Sequence, residues 1–515
     1  MSSMTDEVAK SIDKIDNIMT SELAKIADSS RLAQQKWSRQ SIRSRLKIVR
    51  KVRSLLVERS AELADLVSEE LGRSRNEVLA TDLLPTVDAC RFLERHAAKV
   101  LQERRVANSQ RPLWLTGSHD TVYRRPRGVI GFIGTWNYPL FLNLVPILQA
   151  VTAGNSVLWK PSEWMPRLAE AISDIFRNSG FPDYLIQTLP EAREIGPQLL
   201  ETSIDHLIFI GSAGVGRKIA ARLGERLITS TLELSGHDAM IVCNSADPEL
   251  AARAVWYGVM LNHGQTCVAV RRVLVQESIY PQFIEKLKAL AQDRTPKTLL
   301  TRAQMIQADQ QVQQAIAAGA EILNPANDFI SNGDSASYPA TILIHVNPGM
   351  SIMREALFAP ICMVIPFREI ADCLGVLRAC PYQLSASVFS NQRHQIEAIA
   401  AQLKEGLVCG NDVIVPVAHP ATPFGGSGDS GWGVTQGAEG LLELTVPQVV
   451  SLRSGSWRPH YDALIKPNDA DGDLLLGMIQ WSHAPTWRKK IRGLLQLIRA
   501  GRARFQRVDS VKKIR

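Results

Sequence analysis

The feature that most constrains this chain is a change of hydrophobic rhythm near Thr121. From residue 1 to about 110, apolar positions such as Ile48, Val52, Leu55, Leu56 and Leu63 recur at three- and four-residue spacing among charges, the pattern of helices with one buried face. Beyond it come short apolar runs that stop at Gly, Asn, Pro or Ser. Gly128–Ile133, Ser156–Trp159, His206–Ile210 and Ala239–Cys243 read as buried strands, with helical stretches Leu168–Arg177 and Gly216–Leu223 between them. Strands alternating with helices define an α/β chain with a parallel sheet and crossover connections. A second set follows: strands at Arg272–Val275 and Ser387–Phe389, helices at Pro281–Ala291 and Gln310–Ala317. Residues 409–440 are rich in Gly and Pro and read as loop, and Thr445–Leu452 reads as a terminal strand.

At 515 residues the chain exceeds one compact core, so two or three domains are expected. Its 45% hydrophobic and 21% charged residues suit a soluble globular protein. The net charge of +8 is confined to one end: Thr486–Arg515 holds eleven Lys or Arg and one acid, a net +10 that leaves residues 1–485 at −2. A nearly neutral body with a basic tail argues against nucleic acid as the partner. Seven cysteines, an odd number without CxxC or Cys/His ligand spacing, point to a reduced, cytoplasmic setting and to no metal site. The N-terminus lacks a signal-peptide core, and no apolar run is long enough to span a bilayer.

Two residues suggest covalent chemistry. Cys267 lies in Asn262-His263-Gly264-Gln265-Thr266-Cys267-Val268-Ala269, and Glu233 lies 34 residues upstream in Leu232-Glu233-Leu234-Ser235-Gly236-His237. A thiolate attacks a carbonyl, and a carboxylate activates the water that releases the acyl product, a sequence of steps through a thioester. Gly211–Gly216 ends a strand and opens a helix, where backbone N–H groups and the helix dipole suit a pyrophosphate, although a lone Gly-Ser turn also reads as a plain turn. Asn137, just before Tyr138-Pro139, reads on its own as a turn residue.

Six segments in order carry a resemblance: Pro126–Val129 through Thr135-Trp136-Asn137-Tyr138-Pro139; Ala153-Gly154-Asn155 through Lys160-Pro161-Ser162-Glu163; Phe209–Gly216; the Glu233 run; the Cys267 run; and Pro423–Gly426 through Ser430–Gly433. From about residue 30 to 455 the chain is identified as a member of the aldehyde dehydrogenase superfamily, NAD(P)-dependent and of the hydrolytic type. The resemblance implies a Rossmann-like cofactor domain plus an α/β catalytic domain and a small β oligomerisation extension. The corresponding spans are 1–120 and 127–235 for cofactor, 236–422 for catalysis, 121–126 and 445–455 for subunit pairing, and 456–515 for the basic tail.

It further implies that Cys267 is the nucleophile, that Asn137 and the Cys267 backbone N–H form the oxyanion hole, and that Glu233 is the general base. Members that pass the acyl group to coenzyme A usually lack this base, so Glu233 argues for hydrolysis to an acid. Ile133, Trp136, Lys160, Glu163, Gly211, Ser212, Val215, Gly216 and Phe358 fall on the cofactor site. A carboxylate at Glu163 beside the adenosine ribose favours NAD over NADP. The expected partners are a small aldehyde, apolar or long-chain, and a second copy in a homodimer. A semialdehyde with an acidic group is the rival substrate, predicting Arg or Lys in the substrate tunnel; a cofactor-binding scaffold with weak catalysis is the rival outside enzymology.

The chain departs from the family pattern at several points. Where the family usually reads Glu-Glu-Ile/Leu-Phe-Gly-Pro, it carries Arg354-Glu355-Ala356-Leu357-Phe358-Ala359-Pro360, so the acid expected on the nicotinamide ribose falls on Ala356 unless Glu355 shifts to serve. Thr135 replaces a Pro, Ser235 and His237 replace Gly and Lys, and 292–302 is short. Beyond the family's usual end, Trp487, Ile491, Leu494, Leu495 and Ile498 share a helical face with Arg488, Lys489, Arg492 and Arg499 around it, and Arg502, Arg504, Phe505 and Arg507 follow. A basic amphipathic helix over 486–507 suits an anionic membrane surface, a partner subunit or a solvated tail. Gly493 and Gly501 weaken it by about 1 kcal/mol each.

Overall fold

The computed structural model describes residues 21–292, 295–324, 336–455, 458, 461, 465 and 469–512, with backbone alone at 113, 469–470 and 504–512. The chain divides into two compact units, Met1–Leu101 with Arg125–Val446, and Gln102–Arg124 with Pro447–Arg515.

In the first unit, β1 (Val129–Ile133), β2 (Ser156–Lys160), β3 (Ile186–Thr188), β4 (His206–Ile210) and β5 (Thr229–Glu233) form a parallel sheet in the order β3-β2-β1-β4-β5, with Gly431–Trp432 added antiparallel to β5. β1 and the greater part of β2 and β4 read as apolar runs because helices cover both faces, whereas β3 (Ile186-Gln187-Thr188) and β5 (Thr229-Ser230-Thr231-Leu232-Glu233) are largely polar. The strand order reverses between β1 and β4, so their carboxyl ends open the crevice where ligands of such sheets bind. Helix α1 (Phe141–Ala153) follows β1 and is buried along its whole length. The N-terminal helices close over it, as expected from their 3.6-residue rhythm; Trp37, Val52, Leu56 and Leu93 join Leu148 in one core. Trp37 also donates its indole N–H to the Val151 carbonyl at 2.7 Å. Helix α2 (Ala213–Glu225) follows β4.

A second sheet contains β6 (Asp238–Val242), β7 (Val270–Gln276), β8 (Glu321–Ile322), β9 (Thr341–Ile344), β10 (Ile361–Phe367), β11 (Ser385–Phe389) and β12 (Leu407–Gly410), in the order β8-β9-β10-β7-β6-β11-β12. Only β8 runs antiparallel. The helix expected from Gln310 begins eight residues earlier: α3 spans Arg302–Ala317, started by a capping box between Thr301 and Gln304. Residues 409–440 are mostly loop as expected, but they include the edge strand Gly431–Trp432 and the first turn of a helix, Gly437–Glu443.

In the second unit, Arg104–Arg105, Ser118–Pro126 and Thr445–Arg453 form a three-stranded sheet, so the two strands expected in the extension share one sheet within the chain. A helical hairpin follows, α4 (Asp469–His483) and α5 (Trp487–Lys512). Gly493, which weakens a helix by propensity, has a packing purpose here: a Cβ on it would meet the Trp481 nitrogen at 2.5 Å, and one on Gly477 would meet the Leu497 nitrogen at 2.7 Å. The helices therefore meet through glycine. The face read as apolar in the sequence stays outside, with Trp487, Ile491, Leu495 and Ile498 exposed and Leu494 half-buried. Side chains of Arg504, Phe505 and Arg507 lie outside the described residues. Among the described residues, no helix is long and apolar enough to cross a membrane.

Candidate active site

The crevice at the end of β1 holds Asn137, buried at 4% exposure. Asn143, one turn into α1, shapes this loop: its amide donates to the carbonyls of Thr135 (2.9 Å) and Pro139 (2.7 Å), and its oxygen accepts the Thr135 N–H at 3.2 Å. The Thr135 hydroxyl donates to the Asn137 side-chain oxygen at 2.9 Å, leaving the Asn137 NH2 to reach the Gln265 carbonyl at 3.3 Å, two residues before Cys267.

Cys267 lies in the turn that enters β7. Six of the seven cysteines are buried, and Cys267 alone is partly exposed. The approach is strained: Asn262 and His263 have φ of +48° and +55°, a region that non-glycine residues visit at a cost. Gly264 follows at φ +74°, and a Cβ there would collide with the Ala359 backbone, so glycine is required. The sequence reading expects surroundings or a cofactor to lower the thiol pKa. The protein's own groups do the reverse. Burial pushes the Cys267 thiol well above its usual range, and the Glu233 and Asp238 carboxylates add to that rise.

Glu233 ends β5. Its carbonyl accepts the Gly211 N–H at 3.1 Å, Leu234 donates its N–H to Ser430 at 3.1 Å, and Gly431 pairs with Glu233 across the edge strand. Both neighbours in sequence, Leu232 and Leu234, are buried. Burial pushes the Glu233 carboxyl up to about 7, with the Thr435 hydroxyl drawing it part of the way back. His237, in place of the family's usual Lys, is fully buried, and burial with Arg272 and Arg271 nearby drives its pKa far down, so the ring is neutral.

Two cavities meet at this point. One, of about 280 Å³, is lined by Trp136, Asn137, Gly211, Ser212, Ala356 and Phe358, together with Gln304, Gln307 and Gln311 of α3. The other, of about 220 Å³, is lined by apolar groups including Phe141, Leu142, Tyr257, Val268, Ile414 and Phe424. Cys267 and Glu233 are the two residues common to both. Among the described residues lining the second cavity there is no Arg or Lys, and Glu233 is the one acid. Its Ile414 wall is a tight γ-turn: Val415 donates to Val413 at 2.5 Å across φ +59° and ψ −57°.

A longer groove runs along the carboxyl ends of β1, β2 and β4, lined by Ile133, Lys160, Glu163, Arg193, Ser212 and Val215. Lys160 and Arg193 both pair with Glu163, at 3.4 and 2.5 Å. Ser212 caps α2, its hydroxyl accepting the Val215 N–H at 3.4 Å, and the first turn of the helix faces the groove. A Cβ on Gly216 would meet the Leu234 side chain at 2.6 Å, so this glycine lets α2 lie close to the chain after β5. Helix N–H groups for a diphosphate and a carboxylate for a ribose diol fit a dinucleotide. Trp136 and Phe358 stand edge to face, centroids 6.3 Å apart, at the inner end. Glu355 is drawn toward α3 by Gln311, which donates to it at 2.8 Å, so the inner cavity presents Ala356 and three glutamines. These glutamines gave no sequence signal, because amides on a polar helix face look like any solvated surface.

Comparison with known proteins shows the family to which this fold belongs. The family model described as "Aldehyde dehydrogenase family" matches residues 3–450. The chain is 32% identical over 426 residues to a 4,4'-diapolycopene aldehyde oxidase of Methylomonas sp, covering 81% of this chain and 79% of that protein. It is 29% identical over 410 residues to a probable coniferyl aldehyde dehydrogenase of Pseudomonas aeruginosa, covering 78% and 84%. A putative NADP(+) succinate-semialdehyde dehydrogenase of Mycolicibacterium smegmatis is 29% identical over 434 residues, covering 82% and 83%. Among solved structures, the NAD+ complex of aldehyde dehydrogenase from Bacillus cereus superposes with a TM-score of 0.78 at 25% identity, covering 84% of this chain and 88% of that one. The chain belongs to the aldehyde dehydrogenase family, and it is an oxidoreductase of that class with the family's α/β fold.

Proposed function

We propose that this protein oxidises an apolar aldehyde to the carboxylic acid with NAD, through a thioester on Cys267. The observation that carries the reading is that Cys267 and Glu233 are common to a dinucleotide-side cavity and an apolar tunnel. The aldehyde enters through the tunnel and its carbonyl carbon takes the Cys267 sulfur. The Asn137 NH2 and the Cys267 backbone N–H receive the oxyanion, donors worth about 3–4 kcal/mol each when preorganised. NAD held by Lys160, Glu163, Ser212 and the first turn of α2 would supply a hydride acceptor and a positive charge. Glu233, with a pKa near working pH, then takes a proton from the water that attacks the thioester, and the acid leaves with Cys267 restored. Glu163 favours the free 2′-hydroxyl of NAD over NADP.

The absence of Arg and Lys among the described residues lining the tunnel favours an apolar substrate over an acidic semialdehyde. The test is NADH absorbance with a panel of short, long and aromatic aldehydes and succinic semialdehyde. Apolar aldehydes should lead; a preference for the semialdehyde would overturn the substrate class, and silence from folded, NAD-binding protein would favour a scaffold. Two further assignments belong to this reading. The chain works as a homodimer, by analogy of its strand extension. The exposed apolar face of α5, flanked by Arg488, Arg492, Arg499 and Arg502, seats on an anionic lipid surface, whose charge complements it.

A further inference from the structure

The N-terminal helices reach the active site through one buried ion pair. Arg73 and Asp82 are 2% and 0% exposed and are joined by a direct hydrogen bond. Asp82 lies in a single turn of π-helix, Leu79–Leu83, an insertion that tends to mark functional places in helices. Its Oδ1 accepts the backbone N–H groups of Leu140 and Phe141 at 3.1 and 3.2 Å, at the start of α1. Arg73 Nη1 donates to the Asn137 carbonyl at 3.0 Å, and its guanidinium lies 4.6 Å over the Tyr138 ring.

The same network grips the nucleophile loop. Arg73 Nε donates to Glu77 Oε1 at 3.2 Å, and that oxygen accepts the Asn262 N–H at 3.1 Å. Asn262 Nδ2 returns to the Asn137 carbonyl at 2.9 Å, and the Tyr138 hydroxyl bonds Thr266 at 2.6 Å. Thus Asn137 and the strained turn before Cys267 are tied to one another through groups contributed by the helical N-terminal region. A buried ion pair is weak support for stability, because apolar residues of similar volume often serve as well. Arg73 Nη2 goes to the Thr81 hydroxyl at 2.6 Å, but Nη1 and the Asp82 Oδ1 hold the Asn137 loop and the start of α1, and Nε reaches the loop before Cys267 through Glu77.

We propose that Arg73 and Asp82 are positioning residues for the oxidation step, fixing the Asn137 amide against the Cys267 turn before substrate arrives. The proposal rests on the roles given above to Asn137 and Cys267. The test pairs the replacement Arg73→Met with Asp82→Leu, which removes both charges and keeps volume, and crosses it with Asn137→Ala. The paired variant should lose about 10- to 100-fold in kcat with KM for NAD within about twofold, since no contact in the dinucleotide groove is touched. Asn137→Ala alone should lose about 100- to 1,000-fold, and adding the pair to it should cost no more than about threefold further, because both act through one donor. Unchanged kcat in the paired variant, or full additivity on Asn137→Ala, overturns the positioning role. Should the pair fail to fold, Asp82→Asn keeps the acceptor for Leu140 and Phe141 and weakens only the hold on Arg73; its smaller kcat loss must likewise vanish in the Asn137→Ala background, and additivity there overturns the proposal. Full activity of Asn137→Ala by itself would instead overturn the role of Asn137, a separate failure.

Discussion

The Thr135 hydroxyl donates to the Asn137 side-chain oxygen at 2.9 Å, in a loop where the family usually carries proline at position 135. The Gln265 carbonyl, which can only accept, takes the amide NH2, and the Thr135 hydroxyl supports that orientation by donating to the amide oxygen. With its oxygen occupied, Asn137 turns its NH2 toward Gln265 and the Cys267 turn. Thr135→Val keeps shape and removes the donor, so kcat should fall by about tenfold with KM for aldehyde little changed, a loss of transition-state contact only. Thr135→Ser should keep most of the rate. Steady-state kinetics on the two variants separate a lost hydroxyl from a lost methyl, and equal rates for both would sink the argument.

Glu233, the proposed base, ties the proposed mechanism to stability. Its folded pKa of about 7 lies above the unfolded value of about 4.3, so the folded state prefers the neutral acid. The stability this contributes is present in full below about pH 4.3 and is lost as pH rises through about 7. Glu233→Gln removes the buried charge, so it should be more stable than the parent at pH 8.5, on the order of 3 kcal/mol, and nearly equal at pH 4.5. The same variant should give a burst of NADH followed by slow acid release. Thermal melts at both pH values and stopped-flow absorbance check the two halves; full steady-state turnover would remove Glu233 from the role of base.

The tunnel makes a graded prediction. Each further methylene of a straight-chain aldehyde buried against Phe141, Leu142, Ile414 and Phe424 is worth about 0.8 kcal/mol, or nearly fourfold in kcat/KM, until the tunnel is filled. NADH formation across propanal to decanal reads this directly. A flat series would mean that the chain of the substrate stays in water.

Glu163 holds two cations, and that fixes a cofactor prediction. With Arg193 and Lys160 neutralised by Glu163, a 2′-phosphate meets a carboxylate. Glu163→Gln releases both cations toward such a phosphate. NADPH affinity, read by nucleotide fluorescence, should rise by about tenfold while NADH affinity falls. Unchanged NADPH binding would remove Glu163 as the discriminating group.

Much of this was legible in the sequence because the signals are local. β1, β2 and β4 are largely apolar runs, and Cys267, Glu233 and Asn137 sit in motifs that the fold brings to one junction. The illegible parts depend on contacts distant in sequence. Arg73 and Asp82 look like ordinary helix charges until the fold buries them beside Asn137. Gly493 reads as a helix breaker because its close neighbour, the turn of α4 at Gln480 and Trp481, is set by the hairpin and not by the residues around it. The start of α3 at Arg302 was locally encoded by Thr301 and Gln304, but the missing loop before it obscured the capping box.

The last prediction concerns α5, whose packing leaves its apolar face free. Gly477 and Gly493 let the hairpin close through backbone contact, so Trp487, Ile491, Leu495 and Ile498 are not consumed in holding the two helices together. Arg488, Arg492, Arg499 and Arg502 are exposed on the same helix, and each contributes about 1 kcal/mol near an anionic surface at low salt. The protein should therefore sediment with vesicles containing phosphatidylserine and not with phosphatidylcholine alone, and binding should weaken as salt is raised. Ile491→Asp with Leu495→Asp should abolish sedimentation without altering kcat on a short soluble aldehyde, because neither residue lines the active-site cavities. Sedimentation that survives the two aspartates, or that ignores lipid charge, would assign the face to another partner.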